Sequence, residues 1–240
     1  MDFSVAIYLA AISLSCLTGL FLLFEWLRLG MRHYFLFDWG AGLFLLYWYS
    51  MPWVAAGSGS RLVVEDLNWL FTFSFLLTFL GLLLITVGVT QLNPLPKQEL
   101  AEKFMLLWYV AYVVFQLVYL AIPKAGEYLP LWVLVITFYI PLQLLLSYSL
   151  WWWFKTRSRL STRPAVWGIH LLAVAAVTQL GITAAYLVRL LQYPAEFWFI
   201  SLFNAPVILI FQAVTIILLI SGGLLVRGDC YRSLTADQQV

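Results

Sequence analysis

Charge is what this sequence has least of. Aspartate, glutamate, lysine and arginine make up 10% of its 240 residues, against about a quarter in a soluble domain. The net charge is only +2, with no dense basic face to track phosphates, which excludes a nucleic-acid partner. Cysteine is nearly absent. Cys16 lies in an apolar run and Cys230 in a polar tail, so the two are expected in different phases and unpaired. The two histidines, His33 and His170, could in principle face one another as haem ligands, but nothing around them extends that pattern, and no cofactor or metal is expected. No HExxH, CxxC, Walker A or GxSxG pattern occurs. The expectation is a protein that is not an enzyme. Met1-Asp2-Phe3 lacks a basic leader, so no cleavable signal is expected either.

What the chain has in abundance is apolar surface. Hydrophobic residues make up 64%, aromatics 18%, and the mean hydropathy is +0.94. Water offers no fold that hides so much, whereas a bilayer accepts it. A span needs about 20 mostly apolar residues, and seven such runs are found at 5–27, 34–56, 67–92, 104–122, 130–154, 166–192 and 198–226. Turn-forming sequences separate them, among them Gly57-Ser58-Gly59-Ser60, Asn93-Pro94-Leu95-Pro96 and Tyr193-Pro194. The expected fold is an all-α integral membrane protein, a bundle of seven transmembrane helices over 1–226 with a short tail at 227–240. Arg28, Arg32, Lys97, Lys103, Lys155, Arg157, Arg159, Arg163, Arg227 and Arg232 fall on one side; Arg61, Lys124 and Arg189 fall on the other. That asymmetry puts the N-terminus outside and the C-terminus in the cytoplasm, in the inner (plasma) membrane. Trp53, Trp69, Trp132, Trp151, Trp152, Trp153, Trp167 and Trp198 lie near span ends, as an interfacial belt would.

Polar residues inside spans usually face the bundle interior, so their helical phase is informative. Asp38 and Gly42 share a face of the second span, and Asn68, Thr72, Thr86 and Thr90 form a stripe down the third. Tyr109, Tyr112 and Gln116 line the fourth; Tyr139, Gln143 and Ser147 line the fifth beside a kink expected at Pro141. Gln179, Thr183 and Tyr186 mark the sixth, and Asn204, Gln212 and Thr215 the seventh. Two readings stand together. The stripes are helix-to-helix contacts, or they line a cavity for a small neutral or lipid-like ligand with Asp38, Asn68, Tyr112, Gln116, Tyr139, Gln143, Gln179, Tyr186, Asn204 and Gln212 as its candidate contacts. Glu25 and Asp38 lie near cytoplasmic ends, where pairing with Arg28 or Arg32 is expected. Gly81, Gly88, Gly181, Gly222 and Gly223 permit close helix approach, internally or across a homodimer.

Trp39-Gly40-Ala41-Gly42, Asn68, Gly81, Gly88 and the exit Ile220-Ser221-Gly222-Gly223-Leu224-Leu225-Val226-Arg227 give a layout that resembles the N-terminal sensory membrane regions of bacterial diguanylate cyclases and histidine kinases. The resemblance implies a sensory bundle, here followed by 14 residues without a GGDEF or kinase motif. Asn68-Trp69-Leu70-Phe71-Thr72 and Tyr193-Pro194 are also loosely similar to microbial rhodopsins, but the seventh span has no lysine for a retinal Schiff base. The resulting expectation is a sensory or regulatory module that binds a ligand and acts through a protein partner. A small transporter or channel, and an accessory subunit binding lipid or pigment, are the alternatives.

Overall fold

A computed structural model describes residues 3–48, 68–92, 95–121, 135–156, 163–192 and 206–237. Among them are seven α-helices: α1 (Phe3–Arg28), α2 (Tyr34–Trp48), α3 (Asn68–Leu92), α4 (Gln98–Ala121), α5 (Ile140–Lys155), α6 (Arg163–Gln192) and α7 (Pro206–Asp237). Four stretches, Phe3–Arg28, Gln98–Val118, Arg163–Ala185 and Pro206–Gly228, are each long and apolar enough to cross a membrane. The chain is an all-α protein of membrane type.

The helices pack in a closed circuit. α1 touches α2, α2 touches α3, α3 touches α5, α5 touches α6, α6 touches α7, and α7 returns to α1. α4 lies outside this ring, against α3. It is held by an aromatic cluster in which Phe79 of α3 meets Tyr112 at 4.2 Å, and Phe138 meets Tyr112 at 5.0 Å and Phe115 at 5.3 Å between centroids. Its outward residues Leu106, Leu107, Val110, Val114 and Leu117 are exposed, as a lipid-facing surface would be.

Glycine sets how closely the ring closes. A Cβ placed on Gly19 of α1 would stand 2.6 Å from the Gly40 carbonyl of α2, and one on Gly40 would stand 2.8 Å from the Gly19 carbonyl. Gly42 and Gly81 meet in the same reciprocal way across α2 and α3, and Gly168 and Gly222 across α6 and α7. Backbones this close gain dispersion contacts that a larger residue would forbid, which is how small residues drive association in lipid. Gly223 presses on Trp39 of α2, and a Cβ there would sit 2.1 Å from the indole Nε1. Of the glycines expected to allow close approach, Gly81, Gly222 and Gly223 do so inside the bundle. Gly88 leaves ordinary contact distance to Phe35, and Gly181 has nothing within 4 Å.

Several boundaries differ from the sequence expectation for physical reasons. α4 starts at Gln98 rather than 104, because Gln98 Oε1 accepts the Leu95 N–H at 3.1 Å and Lys103 pairs with Glu99 at 2.6 Å along the polar first turns. The expected kink at Pro141 is a π-helical turn, Val135–Tyr139, leading into α5. Proline has no N–H to give to the preceding turn, so the ladder widens there. α7 continues as one helix to Asp237, beyond the expected end at 226. Trp151 and Trp167 are exposed as belt residues should be, but Trp153 is buried in the core.

The α1–α2 turn uses two left-handed residues, Gly30 (φ 68°) and Met31 (φ 62°). Only the second is strained, because methionine carries a Cβ. The Met31 N–H reaches back to the Trp26 carbonyl at 3.0 Å, while the His33 carbonyl accepts from Leu36 at 3.1 Å and opens α2. Burial of the His33 ring lowers its pKa from the ordinary 6.5. The unfolded chain therefore binds the proton more readily, and stability declines as pH falls through that value. Melting temperature is expected to drop between pH 7.5 and pH 5.5, and His33→Gln is expected to flatten that dependence.

Candidate functional site

The ring places polar side chains at a common depth, which follows from helix register. Phe154 of α5 and His170 of α6 touch at 5.2 Å, and the two helices run antiparallel across a short link. Gln143 lies 11 residues before Phe154 and Gln179 lies 9 residues after His170. At about 1.5 Å per residue the two differ in height by about 3 Å. Gly168 and Gly222 fix α6 against α7. Gln179 is 11 residues from the first and Gln212 is 10 from the second, so these also share a level. Each glutamine follows its helix's buried stripe: Leu142 and Leu146 flank Gln143, Ala176 and Ile182 flank Gln179, and Leu209 and Ala213 flank Gln212.

The same level continues around the ring. Glu25 of α1 contacts Arg227 of α7, and the two helices run in the same direction. Tyr8 is 17 residues above Glu25, and Gln212 is 15 above Arg227. Tyr47 of α2 lies beside Tyr8, and both are buried. On the α4 side, the Tyr112 and Tyr139 hydroxyls are 3.5 Å apart, and Gln116 Nε2 donates to the Tyr112 hydroxyl at 2.9 Å. Tyr139, the last residue of the π-helical turn, stands one helical turn from Gln143. Six helices and this π-helical turn thus contribute amide or phenol groups to one stratum of the bundle.

What distinguishes the glutamines is that their acceptors are unmet. Thr86, Thr90, Thr178, Ser149 and Thr215 donate to carbonyls three or four residues earlier in their own helices at 2.8–2.9 Å. Short hydroxyl side chains can do this. Their donors are therefore used within their own helices, while the buried hydroxyl oxygens of Thr86, Thr90 and Thr215 keep acceptor capacity. Gln143, Gln179 and Gln212 each bury Oε1 from solvent with no hydrogen-bond partner, as does Ser147 Oγ on α5. Gln143 is only 4% exposed overall. A buried unsatisfied acceptor costs about 1–3 kcal/mol, so three on neighbouring helices call for a donor.

A second polar group sits at the far end of the ring. Glu25 pairs with Arg227, not with Arg28 or Arg32, and the Arg227 guanidinium also lies 5.3 Å from the Phe21 ring. Asp38 is buried, hydrogen-bonded to Gln91 of α3 rather than to an arginine, with Oδ2 unmet. It is about 16 Å along the bundle from Gln212, since Trp39 opposes Gly223 and 11 residues separate Gly223 from Gln212. Asp38 therefore does not join the glutamines.

Of the ten expected contacts, Tyr112, Gln116 and Tyr139 meet one another, Gln143, Gln179 and Gln212 fall at a similar depth, and Asp38 stands apart. Asn204 lies outside the described residues, as do the side chains of Asn68 and Tyr186. Tyr8 and Tyr47 are additions that the sequence pattern did not single out, because a lone tyrosine in an apolar run has no stripe to belong to. Among the described residues no cluster of three or more histidine, cysteine or acidic side chains exists to hold a metal. Cys16 is free and buried. Comparison with protein-family models, with curated proteins and with solved structures gives no match to this chain.

Proposed function

We propose that this chain is a seven-span sensory or regulatory module of the inner (plasma) membrane, N-terminus outside, that binds a small neutral ligand within its polar stratum. It signals through a protein partner and performs no chemistry of its own. One observation carries the reading: the unmet Oε1 atoms of Gln143, Gln179 and Gln212, at one depth on three consecutive ring helices. Amides and phenols without a formal charge suit an uncharged molecule that brings hydroxyl or amide donors, because an unpaired charge in this setting is far more costly than an unpaired dipole. The Glu25–Arg227 pair and the Gly223–Trp39 contact draw α1, α2 and α7 together at the opposite end. A receptor closed on the cytoplasmic side fits that arrangement better than an open channel does. The continuous α7, from Gln212 through Arg227 to Asp237, gives the bound state a rigid route toward a partner.

Substituting the glutamines separates ligand binding from simple packing. In protein stripped of small molecules, Gln143→Leu and Gln212→Leu are expected to raise the melting temperature, because each removes an unmet acceptor worth about 1–3 kcal/mol. In gently purified protein the order reverses, since the wild type alone keeps its ligand. A melting temperature that rises equally in both preparations would leave packing as the whole explanation. Solute flux through proteoliposomes that falls in the same variants would favour transport over sensing.

A further inference from the structure

The end of the α5–α6 hairpin carries a feature that the polar stratum does not explain. Lys155, Arg157, Arg159 and Arg163 fall within nine residues, and no aspartate or glutamate occurs anywhere from 128 to 195. The corresponding α3–α4 connection is different, because Lys97 and Lys103 there are offset by Glu99 and Glu102, with Lys103 already paired to Glu99. At the hairpin, the Lys155 ammonium lies 5.4 Å from the Trp151 ring centroid and 6.0 Å from that of Trp152. Trp151 is 53% exposed and Trp167 is 66% exposed. His170 bridges the two helices, touching both Phe154 and Trp167. Lys155 and Arg163 are both exposed.

We infer that the α5–α6 hairpin end binds the headgroup of an anionic phospholipid. Charge complementarity selects the phosphate, since uncompensated cations flanking a span attract acidic lipid. The exposed tryptophans select a lipid over a soluble phosphate or an acidic peptide. Their amphipathic rings sit at headgroup depth, where they can contact the acyl and glycerol region while Lys155 and Arg163 reach the phosphodiester. The site is independent of any ligand in the stratum and rests only on the hairpin end lying at a membrane surface.

The test uses the full chain in detergent, titrated with phosphatidylglycerol or phosphatidylcholine and read by native mass spectrometry, at fixed ionic strength. Wild type is expected to retain phosphatidylglycerol in preference to phosphatidylcholine. Lys155→Gln with Arg163→Gln is expected to lose that preference by about five-fold for each cation removed. Lys155→Arg with Arg163→Lys keeps the charge, and should retain the preference, which separates binding from misfolding. Lys97→Gln with Lys103→Gln should change it by less than two-fold, on the order of experimental scatter. The inference is overturned by equal retention of the two lipids, or by a preference that survives removal of both cations. It is equally overturned if glycerol phosphate competes as well as the intact lipid, which would make the hairpin a soluble-phosphate site.

Discussion

Gly81→Ala is expected to destabilise the bundle, whereas Gly181→Ala should leave it intact or slightly improve it. A methyl group on Gly81 meets the Leu46 amide nitrogen at 2.6 Å and the Gly42 carbonyl at 2.8 Å, both backbone atoms that cannot rotate aside. α2 and α3 must part to admit it, and overpacking of this kind costs about 1–3 kcal/mol. The gain in helix propensity on replacing glycine, at most about 1 kcal/mol, offsets only part of that. Gly181 has nothing within 4 Å, so the propensity gain acts alone. Gly223→Ala belongs with Gly81, because its new methyl would overlap the buried Trp39 indole. Melting curves with size-exclusion profiles in one detergent should rank Gly181→Ala at or above wild type, then Gly81→Ala, then Gly81→Val. Equal melting temperatures for the Gly81→Ala and Gly181→Ala proteins would mean that α2 and α3 do not cross where the structure places them.

Arg227→Gln is expected to cost more than Glu25→Gln, and the double substitution less than either. The Glu25 side chain is 9% exposed and the Arg227 side chain 25%. Removing the arginine takes its guanidinium away from the more deeply buried carboxylate. Removing the glutamate leaves a guanidinium that can still snorkel toward water and rest against Phe21. Breaking one side of a buried pair costs about 3–5 kcal/mol, and partial exposure of the arginine puts Glu25→Gln below that range. Two glutamines leave no stranded charge. A double-mutant cycle read by thermal unfolding measures the coupling. If the three variants are equal, the contact between α1 and α7 contributes nothing to closing the ring.

The long apolar runs were legible because a span has a fixed length and charges mark its ends, and α1, α3 and α6 begin and end within a few residues of the expectation. The ring was not legible. Glu25 and Arg227 are 202 residues apart, and nothing local in either segment points to the other. Gly19, Gly40 and Gly168 look like any glycine in an apolar helix until the facing backbone is known. The polar stripes were visible as helical phase, but phase does not separate a threonine that bonds its own helix from a glutamine that does not. Side-chain length makes that distinction: Thr215 reaches the Phe211 carbonyl at 2.9 Å, while the Gln212 amide, one residue earlier, leaves Oε1 unmet. The separation of Asp38 from the stratum depends on where α2 crosses α7, which only the fold supplies.

The most direct test of a ligand in the stratum is native mass spectrometry of the gently purified chain, comparing wild type with the Gln143→Leu, Gln212→Leu double variant. Wild type is expected to carry one uncharged small molecule at stoichiometric occupancy, and the variant, folded and at least as stable once stripped, is expected to carry none. A wild type that releases no such molecule, or a variant that holds it as well as wild type does, would contradict the proposal.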